Sequence, residues 1–293
     1  MHNTTASVAA PVSEFLASFE VYDVDSLGVV TAATQASDFK QLVQSLGLSG
    51  LPLIVTDSER LPPGVAAVLL FQVYRDGEIV SVVALAASDR DSALGVFEIW
   101  EPVGEFDEVR LAQGYYSKLD RFQNVSAYIR FEKGSGLPGS VWHRRRAVVH
   151  NDLPNHPGFL RAAGASAEAL TTAVGIPIFD DDFVASIVLI SSAKSPLARG
   201  IEIWTPDGDG FVLLEGSYPS LDASFSLSSG TRLESGEGLP AMARQHGGAC
   251  VSSDVSVFAA GREIAAGLAT GHRALALPYY DGSLLTSVVV LLF

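Results

Sequence analysis

The sequence predicts an α+β fold built from repeats, each a mostly antiparallel sheet with helices packed to one side. Three observations carry that expectation. Segments recur at a nearly constant spacing. Each recurring block opens and closes with a strand–turn–strand pattern. Between those hairpins lie stretches opened by Gly and Pro, suited to short helices.

The repeat rests on three ordered matches. Phe97-Glu98-Ile99-Trp100-Glu101-Pro102 returns as Ile201-Glu202-Ile203-Trp204-Thr205-Pro206. EKGSGLP at 132–138 returns as ESGEGLP at 234–240. Ile176-Pro177-Ile178-Phe179-Asp180-Asp181 returns as Leu277-Pro278-Tyr279-Tyr280-Asp281-Gly282. Residues 96–192 and 198–293 are therefore expected to be two copies of one unit. A shorter, degenerate copy is expected over 13–92. There LPLIVTD at 51–57 parallels AVVHND at 147–152 and ACVSSD at 249–254, and 74–83 parallels the closing hairpin.

The last copy shows the elements in order. Ile201-Glu202-Ile203-Trp204 alternates as a strand does. Asp207-Gly208-Asp209-Gly210 is a hairpin turn, because Gly tolerates positive φ, and 211–214 returns as a strand. Gly236-x-Gly238-Leu239-Pro240 opens a short helix that Gly247-Gly248 ends. A strand over 249–252, a helix over 257–268 and strands over 273–278 and 284–292 complete the unit, the last two joined at Asp281-Gly282.

Composition narrows the function classes. Of 293 residues, 48% are hydrophobic and 18% charged, which fits a folded chain with a large core. Acidic residues number 33 against 19 basic ones, and the net charge of −14 disfavours nucleic acid and anionic membranes as partners. No apolar run approaches the roughly 20 residues that cross a bilayer. Residues 1–12 lack the basic start and apolar run of a secretory signal, so a cytoplasmic location is expected. The single cysteine, Cys250, excludes an internal disulfide and a multi-cysteine zinc site.

The run Gly134-Ser135-Gly136-Leu137-Pro138-Gly139-Ser140-Val141-Trp142, then AVVHND at 147–152, then Ala173-Val174-Gly175-Ile176-Pro177-Ile178, resembles the GAF domain, a small-molecule sensor fold of signalling proteins. The resemblance covers nearly all of 96–192. It extends loosely over 198–293, where Ala241 and Arg244 replace Gly139 and Trp142, and reaches only one strand and the closing hairpin of the first copy. It implies a central antiparallel sheet with a pocket on one face, roofed by short helices and loops. It implies no particular ligand. Bilin-attaching members use a cysteine beside a helix, whereas Cys250 opens a strand, and their Asp-Ile-Pro signature is absent. Sulfoxide-reducing relatives need at least two cysteines. The Asn-Lys…Phe…Asp-Glu pattern of cyclic-nucleotide binders is also absent.

Several clusters are candidates for chemistry. His143, His150, His156 and Asp152 lie close in sequence and suit a transition metal by type. Their spacing puts them on different elements, and Ser252 stands for His150 in the next copy, so no metal is expected. Asp57, Asp152 and Asp254 each follow the equivalent strand, where a carboxylate starts a turn or caps a helix, or anchors a ligand at a pocket mouth. Arg144-Arg145-Arg146 is the only basic run, and it makes the middle copy the expected place for an anionic ligand or an acidic partner; a solvated loop is the plainer alternative. Trp142, Tyr128, Phe159 and Phe179 suit an aromatic pocket or simply core. Gly134-x-Gly136-x-x-Gly139 matches a dinucleotide fingerprint in letters but lacks its βαβ setting. No Gly-x-Ser-x-Gly elbow is present.

The expected function is a non-catalytic cytoplasmic sensor or regulatory module that binds a small metabolite and needs no cofactor. The expected pocket lining is Trp142, Arg146, His150, Asp152 and Phe159. The expected partners are that ligand, a signalling protein and a second copy of the chain, since each sheet has an apolar face without helices of its own, to be covered by the neighbouring unit or across a homodimer. The alternative is a structural or partner-binding protein with vestigial pockets.

Overall fold

Three antiparallel sheets follow one another along the chain in a computed structural model that describes residues 12–34, 37–221, 223–254, 257, 260, 262 and 273–293. The first sheet holds β1 (Leu16–Val24), β2 (Val30–Ala32), β3 (Leu53–Val55), β4 (Val65–Arg75) and β5 (Glu78–Ser88). Helix α1 (Lys40–Leu42) runs into a π-helical turn, Val43–Gly47, between β2 and β3. The second sheet holds β6 (Gly95–Val103), β7 (Phe106–Tyr115), β8 (Arg130–Glu132), β9 (Val148–Asn151), β10 (Leu170–Phe179) and β11 (Phe183–Ser192). Its helices are α2 (Asp120–Tyr128), α3 (Gly136–Arg144) and α4 (Ala162–Ala167). The third holds β12 (Gly200–Asp207), β13 (Gly210–Ser217), β14 (Arg232–Leu233), β15 (Cys250–Ser252), β16 (Ala274–Asp281) and β17 (Leu284–Leu292), with α5 (Gly238–His246).

Strand order is the same throughout. The second sheet runs β8-β7-β6-β11-β10-β9 and the third β14-β13-β12-β17-β16-β15. The first runs β2-β1-β5-β4-β3, the same path without the edge strand equivalent to β8 and β14. The short elements α2, β8 and β14 escape the sequence reading. The two strands are two or three residues long, and α2 turns in only Phe122 and Ser126 while Val125 and Tyr128 stay exposed. The helix expected over 257–268 falls mostly outside the described residues.

The strands are apolar nearly end to end because both sheet faces are buried. On one face, equivalent residues of the three sheets meet in a single core: Leu69, Val174 and Leu275; Phe71, Ile176 and Leu277; Val73, Ile178 and Tyr279. Strands β4, β10 and β16 touch one another pairwise, so they surround an approximate threefold axis. Of the two covers expected for this apolar face, the neighbouring units supply it. On the other face, each sheet has its own outer core beneath its helices. Gly175 shows why the Gly-Ile-Pro strand carries glycine: a Cβ there would lie 2.5 Å from the Val141 side chain, and α3 would be pushed off β10.

Sheet edges are closed from neighbouring sheets. The N–H of Ile54 on β3 donates to Gln113 of β7 at 2.9 Å, and that of Val149 on β9 donates to Glu215 of β13 at 3.0 Å. The N–H of Ala249, before β15, donates to Ser81 of β5 at 3.1 Å. Each bond occupies an edge group that would otherwise invite another chain.

Candidate functional site

A carboxylate lies under the outer layer of every sheet. Glu20, Glu98 and Glu202 sit on β1, β6 and β12, each flanked by apolar residues and followed two positions later by Tyr22, Trp100 or Trp204. Residues two apart share a sheet face, so the aromatic polar atom can turn back to the carboxylate. The Trp100 indole N–H donates to Glu98 at 3.0 Å and that of Trp204 to Glu202 at 2.9 Å. The Tyr22 hydroxyl donates to Glu20.

A second hydroxyl arrives from the adjacent strand. Tyr116 donates to Glu98 and Tyr218 to Glu202, both at 2.9 Å. Each ring folds back over a glycine two residues before it, Gly114 or Gly216; a Cβ on Gly216 would lie 3.0 Å from the Tyr218 ring. Burial first, and then the carboxylate charge, pushes both phenols well above the ordinary tyrosine range.

The remaining oxygen sites are filled by the chain's own donors. In the second sheet Arg161 brings two guanidinium nitrogens to Glu98, one at 2.8 Å, and a third contact to Ser126 Oγ at 2.6 Å. Both partners are almost wholly buried, with side-chain exposures of 1% and 0%. The guanidinium carbon lies 4.6 Å from the Phe122 ring centre and 5.3 Å from those of Trp100 and Phe159. In the third sheet Arg262 pairs with Glu202 and donates to the Phe225 carbonyl at 2.7 Å. In the first sheet the backbone N–H groups of Asp38 and Phe39 donate to Glu20 at 2.9 and 3.2 Å. The buried carboxylate recurs while the groups that hold it change. Glu98 accepts four such bonds, as many as a carboxylate has acceptor sites.

A cavity of about 10 Å³ remains beside the third cluster, lined by Trp204, Leu233, Leu239, Pro240, Ala260 and Arg262 among others. That is room for about one water. A second cavity of the same size lies at one end of the threefold axis, beside Val73, Ile178 and Tyr279.

The five residues expected to line one pocket fall in different places. His150 and Phe159 do meet: the His150 ring stacks on His156 at 3.7 Å and meets Phe159 edge-on at 6.3 Å. His150 is 5% exposed and its Nδ1 has no partner. Burial, with His156 and Arg144 beside it, pushes the imidazole down to about 4. Phe159 also stacks on Phe122 within the outer core. Asp152 is exposed, adopts φ +50° and holds the Asn155 side chain at 3.0 Å, so it starts a turn. Trp142 stacks on Phe183 at 4.8 Å, with the Lys133 ammonium 4.7 Å from its ring. Arg146 faces Glu215 of the third sheet at 3.8 Å, and Arg145 makes two bonds to Asp281, at 2.7 and 3.1 Å. The basic run thus serves contacts between sheets. Among the described residues no group of three His, Cys, Asp or Glu side chains is placed to hold a metal. Cys250 is buried, and desolvation, reinforced by Asp23, pushes its thiol up to about 12. No described helix is long and apolar enough to cross a membrane.

Sequence reasoning missed Glu98, Arg161, Glu202 and Arg262. Both glutamates stood inside the repeated Φ-Glu-Φ-Trp motif, and both arginines recur at nearly the repeat spacing.

No family model and no curated protein matches the sequence. Solved structures similar to part of the chain include GAF domains. One is a GAF domain of A. aeolicus in an inactive state, with 20% identity over 34% of this chain and 59% of that one, and a TM-score of 0.28. Another is the GAF domain of a phosphoenolpyruvate-protein phosphotransferase from Coxiella burnetii, with 21% identity over 34% and 57% and a TM-score of 0.28. A third is the free methionine-R-sulfoxide reductase of Neisseria meningitidis, with 21% identity over 33% and 51% and a TM-score of 0.26. The chain spans less than two thirds of the length of each of these three structures.

Proposed function

We propose that the chain is a non-catalytic regulatory module of three GAF-like units closed around one axis, with small-molecule sensing confined to the third. The units of this reading are 13–92, 96–192 and 198–293. It draws on the GAF-like motifs at 134–142 and 173–178 and on the shared strand order. The observation that carries it is the occupied carboxylate. Where a GAF-like pocket would open, Glu20, Glu98 and Glu202 are all engaged by their own chain, and a gap of about 10 Å³ remains beside Glu202. Absence of catalysis is supported by the fully paired Glu98 carboxylate and by the buried Cys250 thiol, whose pKa burial raises. A cytoplasmic protein that relays the sensed signal through a bound signalling protein completes the reading.

The test is native mass spectrometry of the purified full chain before and after denaturation. A small mass released on denaturation, and lost in Ala260→Phe, supports sensing by the third unit. A mass retained in Ala260→Phe places the ligand elsewhere. The second reading, a partner-binding scaffold with vestigial pockets, is favoured by the gap holding only about 10 Å³. A chain that stays free of any bound mass after exposure to cell metabolites supports that one. The same spectra report whether a homodimer forms.

A further inference from the structure

We propose that the outer face of α2 and α4, in the middle unit, is the contact surface of a symmetric homodimer. The dimer is independent of which unit binds a solute. Val125 and Tyr128 on α2 and Leu160, just before α4, are exposed, Tyr128 by 90%. Helix α4 lies against α2: Arg161 reaches Ser126 at 2.6 Å, and a Cβ on Gly164 would lie 3.1 Å from the Phe122 ring. The two helices therefore present one surface. Other exposed large apolar side chains stand at turns, as Phe106 and Leu284 do where they open β7 and β17. The α2 and α4 surface is also uncharged. From 123 to 129 and from 160 to 167 the sole charged residue is Arg161, which is buried. An uncharged apolar patch on a chain of net charge −14 marks a place of association.

The face is complementary to itself. Arg121, Val125 and Tyr128 follow one another at helical spacing, so they share one side of α2. An antiparallel twofold near Val125 lays the Arg121 guanidinium on the ring of Tyr128 of the partner subunit, and symmetry repeats the contact. The same operation sets Asp120, at the start of α2, beside Arg130 of the partner subunit, just past its end. The Arg130 side chain is 58% exposed and holds Glu108 at 3.5 Å, so it has donors to spare. These pairings favour a second copy over an unrelated protein, and the charge distribution agrees. Residues 96–195 hold 10 basic and 12 acidic residues, against 4 and 11 over 1–95 and 5 and 10 over 196–293. Both helices cover the side of the middle sheet that faces away from the threefold axis. The contact thus joins the nearly neutral units and holds the acidic ones apart. Two short helices offer less than the roughly 800 Å² per partner of a stable complex, so the dimer is weak, with a Kd on the order of 10–100 µM.

The experiment is sedimentation equilibrium of the full chain from about 1 to about 300 µM, a range that brackets the expected Kd. A monomer–dimer equilibrium is expected, weakened at least about tenfold in Tyr128→Glu, which removes the aromatic anchor at a position too exposed to affect folding. Val125→Cys tests the geometry. Cys250 is buried, so the thiol at 125 is the one that a mild oxidant reaches. At the upper concentration a disulfide-linked dimer is expected in Val125→Cys, and its loss in Val125→Cys/Tyr128→Glu. A chain that stays monomeric throughout the range overturns the proposal. So does a dimer that Tyr128→Glu leaves unchanged, or one that Val125→Cys fails to link.

Discussion

Replacing Arg161 by Met should destabilise the protein more than a typical buried substitution, because it strands a charge. Met keeps most of the side-chain volume, so the cavity contribution is small. What is lost is the bidentate guanidinium on Glu98, whose side chain has no solvent exposure. The indole of Trp100 and the phenol of Tyr116 still donate, but they bring no positive charge. Breaking a buried ion pair from one side costs about 3–5 kcal/mol. For a chain of this size that lowers Tm by on the order of 10 °C. Urea unfolding followed by tryptophan fluorescence is a direct assay, since Trp100 lies in the cluster. The double variant Glu98→Gln/Arg161→Met removes both charges and should recover most of the loss. A single variant within about 1 kcal/mol of the natural chain would refute the reasoning. So would a double variant no better than the single one.

Other consequences follow from separate parts of the structure. His150 is held neutral in the fold, its pKa depressed to about 4 against an ordinary 6.5, so the unfolded chain takes up the proton first. Stability should be full above pH 6.5 and fall by about 3 kcal/mol towards pH 4; His150→Leu should flatten that limb of a stability–pH profile. Tyr279 carries a buried hydroxyl without a partner. Tyr279→Phe should therefore leave stability unchanged or raise it by up to about 1 kcal/mol in a denaturant melt, and a loss would reveal a partner. Glu215→Ala removes the bond to the Val149 N–H and the charge facing Arg144 and Arg146 at 3.8 Å, and should cost about 1–2 kcal/mol in the same melt. The Cys250 thiol, pushed up to about 12, should resist thiol reagents until the chain unfolds; labelling at the rate of a free thiol would contradict its burial.

Much of the strand framework was legible because hairpin turns and alternation are local. The strand expected over 284–292 is β17, and the turn at Asp180-Asp181-Asp182 lies between β10 and β11. The helix opened by Gly238-Leu239-Pro240 is α5, closed at Gly247 with φ +81°. The candidate site was less legible for a physical reason. Alternation places Glu202 and Trp204 on one face but does not say whether that face is wet. In an ordinary half-buried strand the Glu side is solvent. Here both faces are covered, the inner by two other sheets and the outer by short helices, so the charged position lies inside. Arg161 gave still less signal, since it sits in a connection before a six-residue helix, outside any motif. The basic run was read as one feature, yet Arg145 and Arg146 serve different partners, Asp281 and Glu215, more than sixty residues away. Such pairings arise only from the packing of whole sheets.

The central claim is that the chain's own donors fill the buried carboxylate sites, with guanidinium groups at Glu98 and at Glu202. Side-chain NMR of the full chain labelled with ¹⁵N-arginine tests it most directly, with Arg161→Met and Arg262→Met assigning the two signals. The account predicts that both head groups, Arg161 and Arg262, show slowed rotation and protected N–H protons. An Arg161 signal that rotates and exchanges like that of a free arginine would contradict the account.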